Sequence, residues 1–339
     1  MRMTHDGMIL VDALRDPSGT ARLDPAGWTA LLTIARVEQL LGTLARRLSG
    51  LPVPDAVSDI LAEARVNAEY QRRSALWEAD CARRALVDYS GKVVLMKGTA
   101  YVAAGLKAGE GRHIGDLDIM VAQCDLPQVE TALLKAGWEW VKDDAYDDAY
   151  YRDHMHELPP LIHKERDRMI DVHHTILPLT ARPRPDAAAM LADAACLANG
   201  LYVLSPADML IHSAAHLFAD GELDGGLRNL WDIHCLIDEW ADDAFWAELA
   251  RRAAQHQLLA PVERAVRLSH RLYGTEIPDP WRRWHRQDKH YVRRLIARDN
   301  WGRGTHKFTR LLFYIRSHWL RMPPMMLARH LWVKWRKSA

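Results

Sequence analysis

Near Gly91 the texture of the chain changes from helical to β-prone, and that change limits the folds open to it. Upstream, "GWTALLTIARVEQLLGTLARRLSG" carries apolar residues at three- and four-residue spacing and stops at Gly50. "PDAVSDILAEARVNAEYQRRSALWEADCARRALVDYS" continues the pattern after Pro54, so residues 25–90 read as helices. Downstream, "KVVLMKG" is a short strand closed by glycine, and "TAYVAAGL" suits a helix with Thr99 as its N-cap. "LDIMVA" is a second strand, "LPQVETALLKAG" a helix closed by Gly137, and "WEWVK" a third strand. "HELPPLIHK" reads as a strand that Pro159 and Pro160 confine to an edge. "RMIDVHHTI" is the last strand before the Pro-rich break "LPLTARPRPD", and from Asp186 the chain reads as helical again. The expected fold class is α+β, a small mixed β-sheet core with helices, flanked by N-terminal and C-terminal helical regions. Its expected divisions are a helical region over residues 1–90, the core over 91–178, a helical domain forming one wall of a cleft over 179–280, and a basic, Trp-rich helical tail over 281–339.

Composition narrows the class. The chain has 339 residues, 49% hydrophobic and 26% charged, which is ordinary globular material for about two domains. Cys81, Cys124, Cys196 and Cys235 show no paired ligand spacing, which fits a reducing compartment and argues against a disulfide scaffold or a zinc site. "MRMTHDGMILVDALRDP" lacks the apolar core of a secretory signal, and no stretch reaches the roughly 18 apolar residues of a membrane span. The expected location is cytoplasmic. The net charge of +1 hides an asymmetry: residues 281–339 hold sixteen Lys or Arg and two acids, leaving twenty-nine basic and forty-two acidic residues before them. Six of the thirteen tryptophans lie in that basic stretch. It reads in three ways: a helical lid salt-bridged to the acidic body, an interfacial segment drawn to anionic lipid on the inner membrane face, or a nucleic-acid contact.

The alternation in "DLDIMV" carries the chemistry. In a strand, residues i and i+2 face one side, so Asp116 and Asp118 point together while Leu117 and Ile119 point the other way. Two adjacent carboxylates repel each other, and a divalent cation removes that cost. Magnesium suits the pair, because it takes oxygen ligands and keeps room for substrate phosphates. Asp171, between Ile170 and Val172 in a later strand, offers a third carboxylate for a two-metal site. On the same reasoning, replacing one of two repelling acids need not harm the fold. The Lys97–Gly98 step ends one strand and opens a helix. Glycine there admits a phosphate to the backbone, and the amides that follow favour an anion. Lys97 and Arg112 can add positive charge, Arg112 from the loop "GEGRHIGD". His173 and His174 read as structural, with a hydrogen bond to a carboxylate or phosphate as the alternative.

The order Lys-Gly, helix, Arg-x-x-x-Asp-x-Asp, helix, strand, then the acid of "IDVHH" resembles the nucleotidyltransferases of the DNA polymerase β superfamily, above all an uncharacterised bacterial branch of it. The resemblance implies a metal-dependent transfer of a nucleoside monophosphate from an NTP to an unknown hydroxyl or phosphate acceptor. It implies Asp116, Asp118 and Asp171 as catalytic metal ligands for two Mg2+ ions, or Mn2+. It also implies Lys97, Gly98, Thr99 and Arg112 as nucleotide-binding residues. Where the superfamily has a second Gly or Ser beside the turn glycine, this chain has Lys97 and Thr99, and its gap to Asp116 is longer. The likeness is best over Val93–His174. Two other readings keep the fold: a catalytically silent nucleotide-binding scaffold of a biosynthetic complex, and a toxin–antitoxin-type enzyme acting on protein or tRNA.

Two further constellations stand outside the acids. "HSAAHLF" sets His212 and His216 four apart on one helix face, without the glutamate of a HExxH metal site. That face reads as packing toward the nucleotide cleft. "RNLWDIH" resembles the Arg-Asn-x4-His signature of HEPN-type ribonucleases through Arg228, Asn229 and His234, and equally suits plain helix packing.

Overall fold

Asp24 and Pro25 show how the helical part is built. The Asp24 carboxylate accepts from the Gly27 amide at 2.7 Å, and Pro25 takes the first helical position, where no amide hydrogen is needed. In the computed structural model, which describes residues 6–142, 151–219, 223–321, Trp332 and Arg336, α1 (Met8–Arg15), α2 (Pro25–Val37), α3 (Leu41–Arg47) and α4 (Asp55–Ala85) precede the sheet. The run expected as one helix from Gly27 to Gly50 is two. Gln39 adopts φ +57°, a left-handed conformation that ends α2 before α3 begins.

The sheet has seven strands in the order β3-β4-β5-β2-β1-β7-β6. They are β1 (Val94–Leu95), β2 (Leu117–Met120), β3 (Trp138–Trp140), β4 (Leu161–His163), β5 (Met169–His173), β6 (Ala195–Cys196) and β7 (Tyr202–Val203). Two helices, α5 (Lys97–Ala103) and α6 (Leu126–Lys135), lie between the first three strands in the chain. β2 is central, antiparallel to β1 and parallel to β5, and all four of its residues are buried. That explains an almost unbroken apolar run in which the carboxylates are conspicuous.

The mixed α+β class is as expected, and three local expectations are corrected. β4 is not an edge. It lies between β3 and β5, because Pro159 and Pro160 precede the strand and remove no donor from its ladder. "RMIDVHHTI" is not the last strand, since β6 and β7 extend the sheet beyond β1; at two residues each they are too short to carry a period. Thr99 is not the N-cap of α5. The helix already starts at Lys97 with Met96 as cap, and Thr99 is buried within it.

After the sheet come α7 (Ala187–Ala192), α8 (Pro206–Ala219), α9 (Gly226–Trp240), α10 (Asp243–Gln255), α11 (Leu259–Tyr273), α12 (Asp288–Leu295) and α13 (Lys307–Arg321). One hydrophobic cluster runs from Leu10 through the sheet to Phe313, so the helices on both sides share a core with the strands. Part of the C-terminal basic charge is spent on the body. Arg298 bonds Glu38 at 2.8 Å and Asp224 at 2.6 Å, tying residues 260 positions apart. Residues 322–339, apart from Trp332 and Arg336, lie outside the described residues. No helix among the described residues is long and apolar enough to cross a membrane.

Candidate metal and nucleotide site

β2 and β5 run parallel with Asp118 opposite Asp171 and Met120 opposite His173. Register and alternation therefore put Asp118, Asp171 and His173 on one face, with Leu117 and Ile119 on the other, inside the core. Ligand atoms from Asp118, Asp171 and His173 lie within 4.8 Å of one another. Asp116, one residue before β2, is exposed, and its charge still acts on both Lys97 and Asp171.

Asp118 is the buried member of the group. Lys97 Nζ donates to its Oδ1 at 2.5 Å, and His173 Nε2 lies 2.9 Å from the same oxygen. Burial opposes its ionisation, but Lys97 and then His173 hold the carboxyl well below the usual carboxylate range. Lys97 reaches it from a strained turn. The residue adopts φ +47°, rare without a glycine, and the Met96 amide donates to the Asp118 carbonyl at 3.0 Å, pinning the turn against β2. Burial acts to lower the Lys97 ammonium, yet Asp118, with Asp116 and Asp171 beyond it, raises it. Asp171 behaves in the opposite way. Burial first, then the charges of Asp118 and Glu157, push its carboxyl up to about 7, against the pull of His173.

Arg112 stands elsewhere. It is buried and its guanidinium is committed: Nε and Nη2 donate to Asp232 at 2.9–3.1 Å, and Nη1 to the His113 carbonyl at 3.0 Å. The loop expected to leave it free instead tucks it against α9. A Cβ on Gly98 would sit 2.3 Å from Arg112 Nη1 and 3.0 Å from Ile114 Cγ1. The glycine thus makes room for a fixed guanidinium, whatever else approaches the turn. Gly98→Ala is expected to lower stability by about 1–3 kcal/mol, because Arg112 cannot yield without leaving Asp232. A urea midpoint equal to that of the unaltered protein would contradict this packing.

Histidines surround the cluster. His212, on α8, is buried and held far below the ordinary histidine range, by burial first and then by the charges of Lys97, His216 and His173. His212 on α8 therefore lies close enough to Lys97 and His173 to feel their charges. His174 is buried, and its amide donates to the His156 carbonyl at 2.9 Å. The Arg-Asn-x4-His residues are turned to different neighbours. Arg228 donates to Gln39 and reaches Asn229 Oδ1 at 3.5 Å, whereas His234 pairs with Thr275 Oγ1 at 2.8 Å and packs on Trp231 and Tyr273. Burial lowers His234 to about 4. A cavity of about 540 Å³ lies between α2–α4 and the loop of Gly111 and His113, lined by residues that include Arg36, Gln39, Asn67 and Gln71 and none of the acids of the cluster. Sequence reasoning missed Glu157 and His156, which enter because Glu157 bridges His173 across the sheet margin. It also missed Asp232 as the partner of Arg112.

Asp118 and Asp171 from two parallel strands thus meet beside a lysine-bearing strand-to-helix turn. The chain belongs to the family described as uncharacterised nucleotidyltransferase, which matches residues 24–274, from the cap of α2 to the end of α11. A search of curated proteins finds no match for it.

Proposed function

We propose that the protein is a metal-dependent nucleotidyltransferase of the polymerase β-like, two-metal kind, moving a nucleoside monophosphate from an NTP to a hydroxyl or phosphate acceptor and releasing pyrophosphate. The observation that carries this reading is the register that sets Asp118 opposite Asp171. The donor set fits a divalent ion. It offers carboxylate oxygens, and Asp171 resists ionisation because burial and neighbouring negative charge are only partly offset by His173. Asp116, Asp118 and Asp171 would hold the ions. When bound, Mg2+ or Mn2+ would supply the charge that activates the attacking oxygen and stabilises the leaving pyrophosphate.

The chain's own groups do the rest. The acceptor oxygen attacks the α-phosphorus, the bond from that phosphorus to the bridging oxygen breaks, and pyrophosphate leaves. The acceptor's proton goes to an Asp171 carboxylate oxygen. Lys97, beside Asp118, offers positive charge to the triphosphate over the Gly98 turn. Thr99 is buried behind that turn and acts through α5. Arg112, tied to Asp232, acts by holding the turn.

Incubation with each labelled NTP, magnesium and a cell extract tests the reading by showing which molecule becomes labelled. Asp116→Asn is expected to abolish labelling while the melting temperature stays within about 2 °C, since the residue is exposed. Full labelling by this variant would overturn the metal assignment. NTP binding without pyrophosphate release would make the protein a nucleotide-binding scaffold instead.

A further inference from the structure

We infer that His156, Glu157 and His173 form a second metal site, distinct from the carboxylate cluster and suited to a borderline transition cation such as zinc. One ligand atom from each lies within 4.8 Å of the others. The two imidazole rings sit 5.2 Å apart, centre to centre. Glu157 Oε2 lies 3.3 Å from His173 Nδ1 and 3.6 Å from His156 Nε2. The site is built into the fold, because Glu157 pairs with His173 through an antiparallel bridge that continues β5.

The hydrogen bonds show what the cluster lacks. His173 has 2% of its surface exposed, and its Nε2 donates to Asp118 at 2.9 Å. Its Nδ1 is buried without a hydrogen-bond partner and faces a carboxylate oxygen. The Nδ1 of His156 is also buried without a partner. Orphaned buried nitrogens are costly and uncommon, and that of His173, aimed at Glu157, calls for a ligand. A histidine that gives one ring N–H to a carboxylate and its other nitrogen to a metal is the usual arrangement in metal proteins, and Asp118–His173 has that form. Two imidazoles and one carboxylate favour zinc over magnesium, which prefers oxygen alone. Three protein ligands leave a position open for water. A cation there would neutralise Glu157, one of the charges that press on Asp171, and so connect this site to the carboxylate cluster.

The inference does not depend on the phosphoryl-transfer reading, and its test does not measure transfer. Untagged full-length protein is stripped with chelator, exposed to zinc or to magnesium, desalted and assayed for metal content. Unaltered protein and Asp116→Asn are each expected to retain one zinc per chain. His156→Ala and Glu157→Gln should bind it about tenfold more weakly or worse, with metal-free melting curves like that of the unaltered protein. Titration with cobalt should give a visible absorption band that His156→Ala loses. If the unaltered protein keeps no zinc, or the two variants keep as much as it does, the site does not exist. Zinc lost from Asp116→Asn but kept by His156→Ala would place the ion among the aspartates and overturn the proposal equally.

Discussion

Asp118→Asn is expected to abolish transfer and to cost the fold about 3–5 kcal/mol, the range for breaking a buried ion pair by removing one partner. The reasoning from repulsion between neighbouring acids pointed the other way, and the geometry reverses it for this residue. Asp118 is not one of two free charges. Its Oδ1 takes Lys97 at 2.5 Å and His173 at 2.9 Å, and its side chain is 3% exposed. Asparagine would leave the Lys97 ammonium, only 25% exposed, without its counter-charge. That residual exposure lets water recover part of the loss, which places the expected value at the lower end of the range. The sign with pH follows from the depressed carboxyl of Asp118. Its contribution is present above the unfolded-state value and is lost as pH falls toward the folded one. Lys97→Met should also destabilise, and the double variant should recover much of the loss, giving a coupling energy above about 1 kcal/mol in urea unfolding. An Asp118→Asn midpoint equal to that of the unaltered protein would show that the folded chain does not contain this pair.

The same pair marks where sequence reasoning stops. Alternation in "DLDIMV" was enough to put Asp118 on the strand face opposite Leu117 and Ile119, and "MIDVHH" set Asp171 between Ile170 and Val172 in a second strand, because a period of two needs only local residues. The parallel register that sets them opposite each other is a non-local fact, and the sequence could only presume it. Lys97 was legible as a charge near the turn but not as the partner of Asp118. That contact requires a non-glycine residue at φ +47°, which local propensity disfavours. Arg112 was legible as a basic residue four before Asp116, yet its partner Asp232 lies 120 residues on, and nothing local announces it. Glu157 escaped notice because Pro159 and Pro160 made its segment look like a sheet edge, whereas the prolines sit just before β4 and leave Glu157 free to bridge β5. In the basic C-terminal stretch, Arg298 turns to Glu38 and Asp224. Charge counting alone could not announce those two ion pairs, because both partners lie far away in the sequence.

Asp171→Asn is expected to do what Asp118→Asn does not: abolish transfer while making the metal-free protein more stable at pH 8. The Asp171 carboxyl is raised to about 7 from 3.8, by burial first, then by Asp118 and Glu157. Between those two values the folded chain binds more protons than the unfolded one. Stability therefore falls as pH rises through that interval, and below about pH 4 the penalty is absent. The full effect at pH 8 is about 2–4 kcal/mol, with the upper figure a bound because Asp171 is only partly buried. Asparagine carries no charge at any pH. The stability gained by the variant should therefore be near zero at pH 4 and grow steadily to pH 8, a comparison in which most other titrating groups cancel. Magnesium should narrow the difference at pH 8. A cation bound at the aspartates stabilises the unaltered fold by an amount set by its concentration relative to its dissociation constant, and the variant lacks one of the ligands. A gain that is flat with pH would mean that Asp171 is ordinarily acidic. A loss at pH 8 would mean that a counter-charge already sits beside it, and the crowding of negative charge on which the proposed cation site rests would be gone.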